Sequence, residues 1–296
     1  LLCKVLDSAE CEQLGMGGFL GVARGSETQA QFIHLTYRAT HSRGRFSKKN
    51  QSYKRLGMIG KSVLFDTGGY NIKTGPMGMT YMKLDCGGAA AVLGAAHAIA
   101  SLQPDNIEVH FVIPACENMI NERAMVPGDI LKASNGKTIE VLNTDAEGRL
   151  TLADALVYAD KMLGCQEIVE LSTLTGSCSA ALGPAMAGIF TTDNDMAEQI
   201  LRVSDACGEK VWRLPMEQQY QDDLKSKLAT LKNLGSGKQA GAITAALFLQ
   251  HFVEDAKYTH VDMAGTAFNF KAGQASGWGV RFLTEWAHQQ ASSVAM

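Results

Sequence analysis

"LTLADALVYADKMLGCQEIVELSTL", the stretch from Leu150 to Leu174, decides the fold class. The apolar residues of Leu150–Leu163 have the spacing of an amphipathic helix, and Glu167–Leu174 is typical of a buried strand. Helix and strand patterns alternate in this way along the chain. This alternation predicts one α/β domain with a mixed, largely parallel central sheet flanked by helices.

The same patterns place further elements on both sides of this stretch. Strands are predicted at Gln31–Arg38, Leu56–Asp66, Ile107–Glu117 and Thr259–Gly265. Helices are predicted at Gly87–Leu102, Asp195–Gly208, Ala240–Val253 and Val280–Gln290. The dipeptide Asn135–Gly136 favours a hairpin turn, and the polar, basic segment His41–Arg55 favours a hairpin or a loop.

The composition limits the classes of function. The chain has 296 residues, 46% of them hydrophobic, which is enough for a sizeable core. The formal net charge of -3 gives no support to nucleic-acid binding. No unbroken apolar run of about 18 residues predicts a membrane span. The seven scattered cysteines, without a CxxC pair, favour a reducing compartment. The chain starts without Met or a signal-peptide pattern, and we expect it to be a piece of something longer.

"VLNTDAEGRL", from Val141 to Leu150, places Asp145, Glu147 and Arg149 on alternate positions. If this segment is extended, the three side chains share one face. Two carboxylates side by side repel, and each raises the pKa of the other, so a metal cation would relieve the repulsion. The pattern taken alone also fits a solvated polar strand edge.

A second group of charged residues lies between Gly60 and Ala90, and contains Lys61, Asp66, Lys73 and Asp85. Lys61 lies among apolar residues of a predicted strand, where burial lowers the pKa of an amine and allows it to ligate a metal as a neutral group. An edge lysine that reaches solvent is the alternative. Asp66 and Asp85 precede glycines, so turn and N-cap roles are alternatives for them.

Several segments together resemble the leucyl aminopeptidase (cytosol aminopeptidase) family of two-metal exopeptidases. The segments are "GKSVLFDTGG", "NIK", "MKLDCGGAA", "NTDAEGRL", "STLTG" (Ser172–Gly176) and "HVDMAG" (His260–Gly265). The resemblance implies a homohexamer whose active sites face an inner cavity. It also implies that residues 1–296 are the peptidase catalytic domain, truncated at its start, and that the family's separate N-terminal α/β domain is absent.

The resemblance implies a set of metal ligands, carried over by motif position. Asp66 and Glu147 would bridge two divalent metal ions. Lys61 and Asp85 would complete the tighter site, and Asp145 the readily exchanged one. Oxygen-rich ligation suits Mn or Zn, with Mg or Co as alternatives at the exchangeable site.

The resemblance also implies the groups that act on the substrate. Lys73 would polarise the substrate carbonyl, and Arg149 would hold a bicarbonate that acts as general base. Leu174 and Gly176 would offer backbone groups to the substrate. The pocket for the first side chain would be lined by Met82, Asn143, Thr173 and Ala264.

The implied reaction is removal of the amino-terminal residue, Leu and other apolar residues, from peptides with a free N-terminus. The stretch Lys73–Asp85 is closer to plant-type members than to animal ones. We therefore expect a cytoplasmic protein, with a plastid as the alternative for a plant or algal source. No membrane or nucleic-acid partner is expected.

Two other classes of protein fit parts of the sequence. "GSGKQA", Gly235–Ala240, matches a dinucleotide-binding pattern, which would indicate an oxidoreductase. The preceding residues make a poor buried strand, and Asp262, at about the expected distance, belongs to another motif. A non-enzymatic hexamer scaffold, or a DNA-binding protein like some bacterial relatives, is the other alternative. The intact ligand set argues against a scaffold without activity, and the net charge of -3 argues against DNA binding.

Overall fold

The computed structural model describes residues 1–39, 53–75, 78–236 and 239–293. The predicted loop at His41–Arg55 falls mostly outside these residues, as does the middle of the glycine-rich segment Gly235–Ala240. The described end of that glycine-rich segment is followed by a helix that begins at Gly241. The two-residue strand before it, Leu231–Lys232, pairs within a small separate sheet, so among the described residues this segment does not follow a strand of the main sheet.

A nine-stranded mixed sheet lies at the centre of the described residues. The strands in chain order are β1 (Leu2–Leu6), β2 (Gln31–Arg38), β3 (Lys54–Gly60), β4 (Ser62–Asp66), β5 (Ile107–Asn118), β6 (Ile130–Lys132), β7 (Thr138–Glu140), β8 (Glu167–Ser172), β9 (Ala187–Phe190), β10 (Val211–Arg213), β11 (Leu231–Lys232), β12 (Lys257–Asp262), β13 (Phe268–Asn269) and β14 (Gln274–Ala275). The order across the sheet is β1-β2-β5-β3-β8-β12-β9-β10, and β4 also pairs with β5.

The middle of this sheet is parallel and its edges are mixed. Strands β4, β5, β3, β8 and β12 pair in parallel, as do β9 and β10. Antiparallel pairs join β1 to β2, β2 to β5, and β9 to β12. Parallel strands must be linked by crossovers, which explains the alternation of helices and strands in the sequence.

Helices cover both faces of the sheet. They are α1 (Ser8–Gln13), α2 (Gly17–Ala23), α3 (Gly87–Leu102), α4 (Gly148–Val157), α5 (Gly176–Leu182), α6 (Asn194–Cys207), α7 (Gly241–Gln250) and α8 (Val280–Ser293), with 3-10 turns at Met79–Cys86 and Gln218–Leu224 and a π-helical turn at Tyr158–Met162. Helices α2, α4 and α7 build one hydrophobic core with the sheet, and α3, α6 and α8 build the other.

Neighbouring residues of the central strands point into different cores, as period-two geometry requires. Ile59 and Ile168 belong to the core on the α4 side, whereas Met58 and Val169 belong to the core on the α3 side. Both faces of the strands are therefore apolar, which is the reason that their sequences are continuous hydrophobic runs.

The single strand predicted at Leu56–Asp66 is divided in the structure. Strand β3 ends at Gly60 and β4 begins at Ser62, so Lys61 lies between them. Ile59 lies opposite Val112 and Ser62 opposite Ala115, which places Lys61 opposite Pro114 of β5. Proline has no N–H to donate to a strand ladder. Lys61 instead bonds through its backbone to Leu171 and Ala89.

The other predicted elements differ from the structure mainly at their ends. The hairpin turn at Asn135–Gly136 is confirmed, since β6 and β7 are antiparallel and Gly136 has a φ of 85°. The predicted helix Leu150–Leu163 begins earlier, at Gly148, and finishes in the π-helical turn.

One helical stretch of the described residues, Met79–Leu102, is long and apolar enough to cross a membrane by length and composition. It joins the first 3-10 turn to α3. Helix α3 packs on β3, β8 and α8, and a buried core helix passes the same test of length and composition. This single helix is therefore weak evidence for a membrane span.

Candidate metal centre

The charged residues meet at the carboxyl ends of the parallel strands. Lys61 follows β3, Asp66 ends β4, and Asn118 ends β5. Strand β8 ends beside them and leads into the segment Thr173–Gly176. Ligands of open α/β sheets collect at this end of the strands, because the loops that follow parallel strands all emerge there.

Lys61 lies at the bottom of the cluster, between two carboxylates. Its Nζ is 2.8 Å from both oxygens of Asp85 and 2.9 Å from Oε1 of Glu147. All three side chains are buried. Gly148 makes room for this arrangement, because a Cβ there would lie 2.6 Å from the Lys61 Nζ. The lysine is therefore enclosed, and the alternative of an edge lysine that reaches solvent is wrong.

Lys73 lies at the mouth of the cluster, in the loop after β4. Its Nζ is 2.8 Å from Oδ2 of Asp66 and 2.5 Å from Oδ1 of Asp145. Its side chain is 20% exposed, against 3% for Lys61. The two lysines thus contact separate pairs of carboxylates, one deep and one close to solvent.

Three of the carboxylates come close enough to share an ion. Asp66, Asp85 and Glu147 each offer one oxygen, and these oxygens lie within 4.8 Å of one another. Glu147 Oε2 is buried and has no hydrogen-bond partner among the described residues. Burial raises the pKa of Asp85 to about 8, and the nearby Glu147 carboxylate adds to this. Burial also raises the pKa of Asp145 to about 6.

The predicted neutral state of Lys61 is not what this arrangement favours. Burial lowers the pKa of Lys61, but the carboxylates of Asp85, Glu147 and Asp66 raise it by more, so the net shift is upward. The carboxylates around Lys61 therefore favour its ammonium form. Burial of Lys61 is visible in the sequence, whereas two of its three acidic neighbours, Asp85 and Glu147, come from more distant parts of the chain.

The extended conformation considered for Val141–Leu150 is also wrong. The Ala146 N–H donates to the Asn143 carbonyl, and α4 starts at Gly148. The segment is therefore a turn that leads into a helix. Asp145 and Glu147 still reach the cluster, but Asp145 contacts Lys73 and Glu147 contacts Lys61.

Arg149 lies in the first turn of α4, beside the cluster, and is buried. Its Nη1 donates to the Asn233 carbonyl at 2.9 Å, whereas its Nε has no partner among the described residues. Burial lowers the pKa of Arg149 to about 10, and the carboxylates of Glu147 and Asp262 partly offset this effect. Arg149 is therefore a buried cation with a free donor, at a helix N-terminus that favours anions.

Two of the residues predicted to line the substrate pocket are bonded to residues of the cluster. Thr173 donates through Oγ1 to Asp85 Oδ1 at 2.7 Å, and Asn143 accepts the Asp145 N–H at 2.7 Å. Met82 belongs to the 3-10 turn that carries Asp85. Leu174 and Ala264 lie on the loops after β8 and β12, and Gly176 begins α5.

Three polar residues that the sequence did not indicate hold the cluster in place. Asn118 donates to Asp66 Oδ1 at 2.8 Å. Thr144 donates through its hydroxyl to the Gly68 carbonyl at 2.6 Å. Asn233 accepts the Asn143 N–H through Oδ1, at 3.3 Å. Of these three, only Asn118 could have been predicted from the sequence, because it ends a buried strand at the same edge of the sheet as Asp66.

The donors fit a divalent cation. Four carboxyl groups face only two lysines, and the raised pKa values of Asp85 and Asp145 show that their ionised forms lack enough nearby positive charge. Carboxylate oxygens are the ligands that hard and borderline divalent cations prefer. Buried charge that is not paired is costly, and a bound cation would remove this cost.

The fold and this cluster define an α/β protein with a buried group of carboxylates at the carboxyl ends of its parallel strands. The chain belongs to the cytosol aminopeptidase family, because the family model for the catalytic domain matches residues 1–284. The family expected from the sequence motifs is therefore confirmed.

Relatives and a solved structure agree with this assignment. The chain is 52% identical over 288 residues to a probable cytosol aminopeptidase of Cyanothece sp., covering 96% of this chain and 56% of the relative. It is 50% identical over 295 residues to leucine aminopeptidase 2, chloroplastic, of Arabidopsis thaliana, covering 99% of this chain and 49% of the relative. The chain thus spans about half the length of these curated relatives.

The fold is confirmed by a solved structure. A tomato leucine aminopeptidase mutant matches with a TM-score of 0.87 and 44% sequence identity. The match covers 97% of this chain and 53% of the tomato chain. The mixed, mainly parallel sheet with flanking helices is therefore the fold of that enzyme.

Proposed function

We propose that this protein is a two-metal aminopeptidase that removes Leu and other apolar residues from the amino end of peptides. One observation carries the proposal. The oxygens of Asp66, Asp85 and Glu147 converge within 4.8 Å in a buried site, and two lysines lie against them. Residues 1–296 would then form one peptidase catalytic domain.

The metal ligands would be the five residues of the cluster: Lys61, Asp66, Asp85, Asp145 and Glu147. Bound divalent ions, Mn or Zn with Mg or Co as alternatives at the exchangeable site, would lower the pKa of a water and polarise a carbonyl. A ligating Lys61 must lose the proton that its acidic neighbours stabilise. We therefore expect its proton to leave when a cation takes over the charge balance.

Lys73 would act on the substrate carbonyl. Its ammonium lies at the solvent side of the cluster and carries several protons, so it can donate to a carbonyl oxygen while it keeps a carboxylate partner. The carboxylates of Asp66, Glu147 and Asp145 raise its pKa, against the opposing effect of burial, so it stays charged. A positioned charge of this kind stabilises the negative oxygen that develops in the transition state.

Arg149 would hold a bicarbonate ion as the general base. The support is its unpartnered, buried Nε and its place in the first turn of α4. A planar guanidinium matches a planar, two-oxygen anion. Asn233 fixes the guanidinium through Nη1 and leaves the other donors for the anion.

The substrate would bind between the loops after β8 and β12. Leu174 and Gly176 would offer backbone groups. Outside its own helix and its chain neighbours, no heavy atom of the described residues lies within 4 Å of the position that a Cβ would take on Gly176, so the space beside its backbone is open. The first side chain of the substrate would contact Met82, Thr173 and Ala264, with Asn143 at the rim.

The remaining parts of the proposal concern partners and location. Peptides with a free amino group would be the substrates, and a homohexamer would be the assembly. The names of the relatives above include a cytosol form and a chloroplastic form, which supports the cytoplasm or a plastid as the compartment.

A substrate panel tests the activity. The protein is loaded with Mn²⁺ or Zn²⁺ and given leucinamide, other aminoacyl amides and N-acetyl-leucinamide. Release of ammonia from the free amides alone supports the proposal, and equal cleavage of the acetylated compound contradicts an aminopeptidase. Loss of activity on dialysis into bicarbonate-free buffer, restored by bicarbonate, tests the Arg149 role.

A metal assay tests the ligand set. Glu147→Ala should reduce the metal content below two ions per chain, because it removes the proposed bridging carboxylate. Glu209→Ala is the matched control, since Glu209 is also buried but caps the start of α8. A Glu147→Ala protein that retains both ions contradicts the bridging role.

A further inference from the structure

Asp262 is a buried carboxylate that the proposed mechanism does not use. It ends β12, lies opposite Ser172 of β8 and Gly188 of β9, and is 0% exposed. It is not one of the converging acidic residues of the metal centre. A charge in this position needs partners, and its hydrogen-bond partners lie on the segments after β8 and β12.

Each oxygen of Asp262 accepts a hydrogen bond from a different loop. Oδ2 accepts from the Thr175 hydroxyl at 2.6 Å, and Oδ1 accepts from the Ala264 N–H at 3.2 Å. Thr175 is also the N-cap of α5, where its Oγ1 accepts from the Cys178 N–H at 3.1 Å. One carboxylate therefore connects the segment Thr173–Gly176 to the segment Met263–Gly265.

The first of these segments is fixed at its other end by the metal centre. Thr173 donates to Asp85, so Leu174 lies between a residue bonded to Asp85 and a residue bonded to Asp262. Both attachments are made by buried side chains. The position of the Leu174 backbone relative to Ala264 is thus set by two carboxylates, and only Asp85 is a proposed metal ligand.

We propose that Asp262 is a positioning residue that fixes the width of the cleft in which the amino-terminal residue of the substrate binds. This inference depends on the proposed function for its substrate, but the link between the two loops is a property of the protein alone. Asp262 touches no reacting atom, and its effect passes through Thr175 and Ala264.

A carboxylate is required here because both of its oxygens accept. An amide in the same place has one acceptor oxygen and one NH₂ group. Asp262→Asn therefore deprives either the Thr175 hydroxyl or the Ala264 N–H of its acceptor. Thr175→Val removes the hydroxyl at nearly constant volume, whereas Thr175→Ser keeps it and should behave like the parent.

Amide hydrogen exchange measures the link without any substrate. We expect Asp262→Asn to raise exchange in both Thr173–Cys178 and Met263–Gly265, and Thr175→Val to raise it in the first segment. Asp160→Asn is the matched control. Asp160 is also a buried carboxylate with backbone N–H donors, but it lies before the start of β8, at the other end of the sheet.

Steady-state kinetics on the metal-loaded protein measures the consequence. Asp262→Asn and Thr175→Val should raise KM for leucinamide about ten-fold, with a smaller change in kcat, since a wider cleft mainly weakens binding. Metal content should stay at the parent value. Thr175→Ser and Asp160→Asn should keep the parent KM.

The outcomes separate this inference from the proposed function. Unchanged exchange in Thr173–Cys178 of Asp262→Asn, or a rise no larger than in Asp160→Asn, overturns the positioning role. An active Asp262→Asn protein with the parent KM overturns it as well. An inactive parent contradicts the proposed function, and the exchange data then decide the role of Asp262. If Asp262→Asn does not fold, Thr175→Val and Thr175→Ser make the same comparison.

Discussion

Lys61 and Asp85 form a buried ion pair in which the lysine Nζ lies 2.8 Å from both carboxylate oxygens. Lys61 is 3% exposed and Asp85 is 4% exposed, so water does not screen the pair. Removal of one partner from such a pair leaves a buried charge without compensation. The same lysine is a proposed metal ligand, so its two roles, as a counter-charge and as a ligand, compete.

Lys61→Ala should lower the affinity for the tighter metal ion, because the variant lacks one ligand. It should also destabilise the metal-free protein by about 3 kcal/mol, since Asp85 and Glu147 lose their cation. Metal binding should release one proton less than in the parent, because no lysine is deprotonated. Calorimetric titration in two buffers of different ionisation enthalpy measures both the affinity and the proton release.

Lys54→Ala is the control for this variant. Lys54 also pairs with a buried carboxylate, Glu167, but at the other end of β3. It should lose stability and keep the parent metal affinity. A rise in metal affinity in Lys61→Ala would show that Lys61 competes with the cation and does not bind it.

Lys73→Ala should keep both metal ions and lose turnover. Loss of one positioned electrostatic donor costs roughly 3–4 kcal/mol, or about 10²–10³ in kcat. KM should change less than kcat, because the negative charge on the carbonyl oxygen develops only towards the transition state. Metal analysis and steady-state kinetics on leucinamide measure the two effects. A metal-free Lys73→Ala protein would reverse the roles of the two lysines.

The fold was predictable to the extent that local patterns determine it. The helix Gly87–Leu102 is found with the predicted bounds, because its small and apolar residues extend to both of its ends. The strand Leu56–Asp66 is divided at Lys61, because a proline of a strand far along the chain lies opposite. No pattern within Leu56–Asp66 contains that information.

The site was predictable where residues end neighbouring strands or belong to a family motif. Asp66, Asp85 and Glu147 converge as expected. The shared face expected for Asp145 and Glu147 was wrong, because the segment forms a turn with a bond from the Ala146 N–H to the Asn143 carbonyl. A period-two pattern of charges looks the same in a sequence whether the segment is extended or turned. Hydrogen-bond partners of this segment such as Asn233 belong to no motif in the sequence. Nothing in their spacing predicts that they contact the cluster.

Asp154 stabilises the start of a helix that is distant in sequence. Helix α2 has no side-chain cap of its own, and Asp154 of α4 accepts the Phe19 N–H at 2.9 Å and the Ser134 N–H at 2.8 Å. Asp154→Ala should lower the free energy of unfolding by about 3 kcal/mol, because the buried Phe19 N–H and the part-buried Ser134 N–H lose their acceptor.

Asp7→Ala is the comparison for this prediction. Asp7 caps α1 in the usual local way, but it is exposed to water. Its loss should cost about 1 kcal/mol. Denaturant unfolding of both variants at pH 8, above the pKa of about 6 to which burial raises Asp154, measures the difference. Equal losses would show that the buried cap contributes no more than the exposed one.

The last prediction concerns His34, which lies in a polar cluster on β2. Its Nε2 is 2.9 Å from Nδ1 of His110, and its Nδ1 is 3.3 Å from the Tyr158 hydroxyl. Burial lowers the pKa of His34 from 6.5 to about 4, and the neighbouring His110 adds to this. Between pH 6.5 and about 4, His34 is therefore protonated in the unfolded chain but neutral in the folded protein.

The sign of the pH effect follows from this depressed pKa. The contribution of neutral His34 to stability is fully present above pH 6.5 and is lost as the pH falls towards 4. Each pKa unit corresponds to about 1.4 kcal/mol, and partial exposure to water reduces the total to about 2 kcal/mol. We therefore expect the free energy of unfolding of the parent to contain an acid-sensitive part between these two pH values.

His34→Gln should remove this part of the pH dependence, because glutamine keeps hydrogen-bonding groups and does not take up a proton. Denaturant unfolding of parent and variant at several pH values from 4 to 8 measures it. The difference between the two curves reports His34 together with its coupling to His110, whose Nδ1 lies 2.9 Å from His34 Nε2. His288→Gln, which changes an exposed histidine of α8, controls for the loss of an imidazole. A constant difference between parent and His34→Gln over this range would show that His34 does not couple folding to protonation.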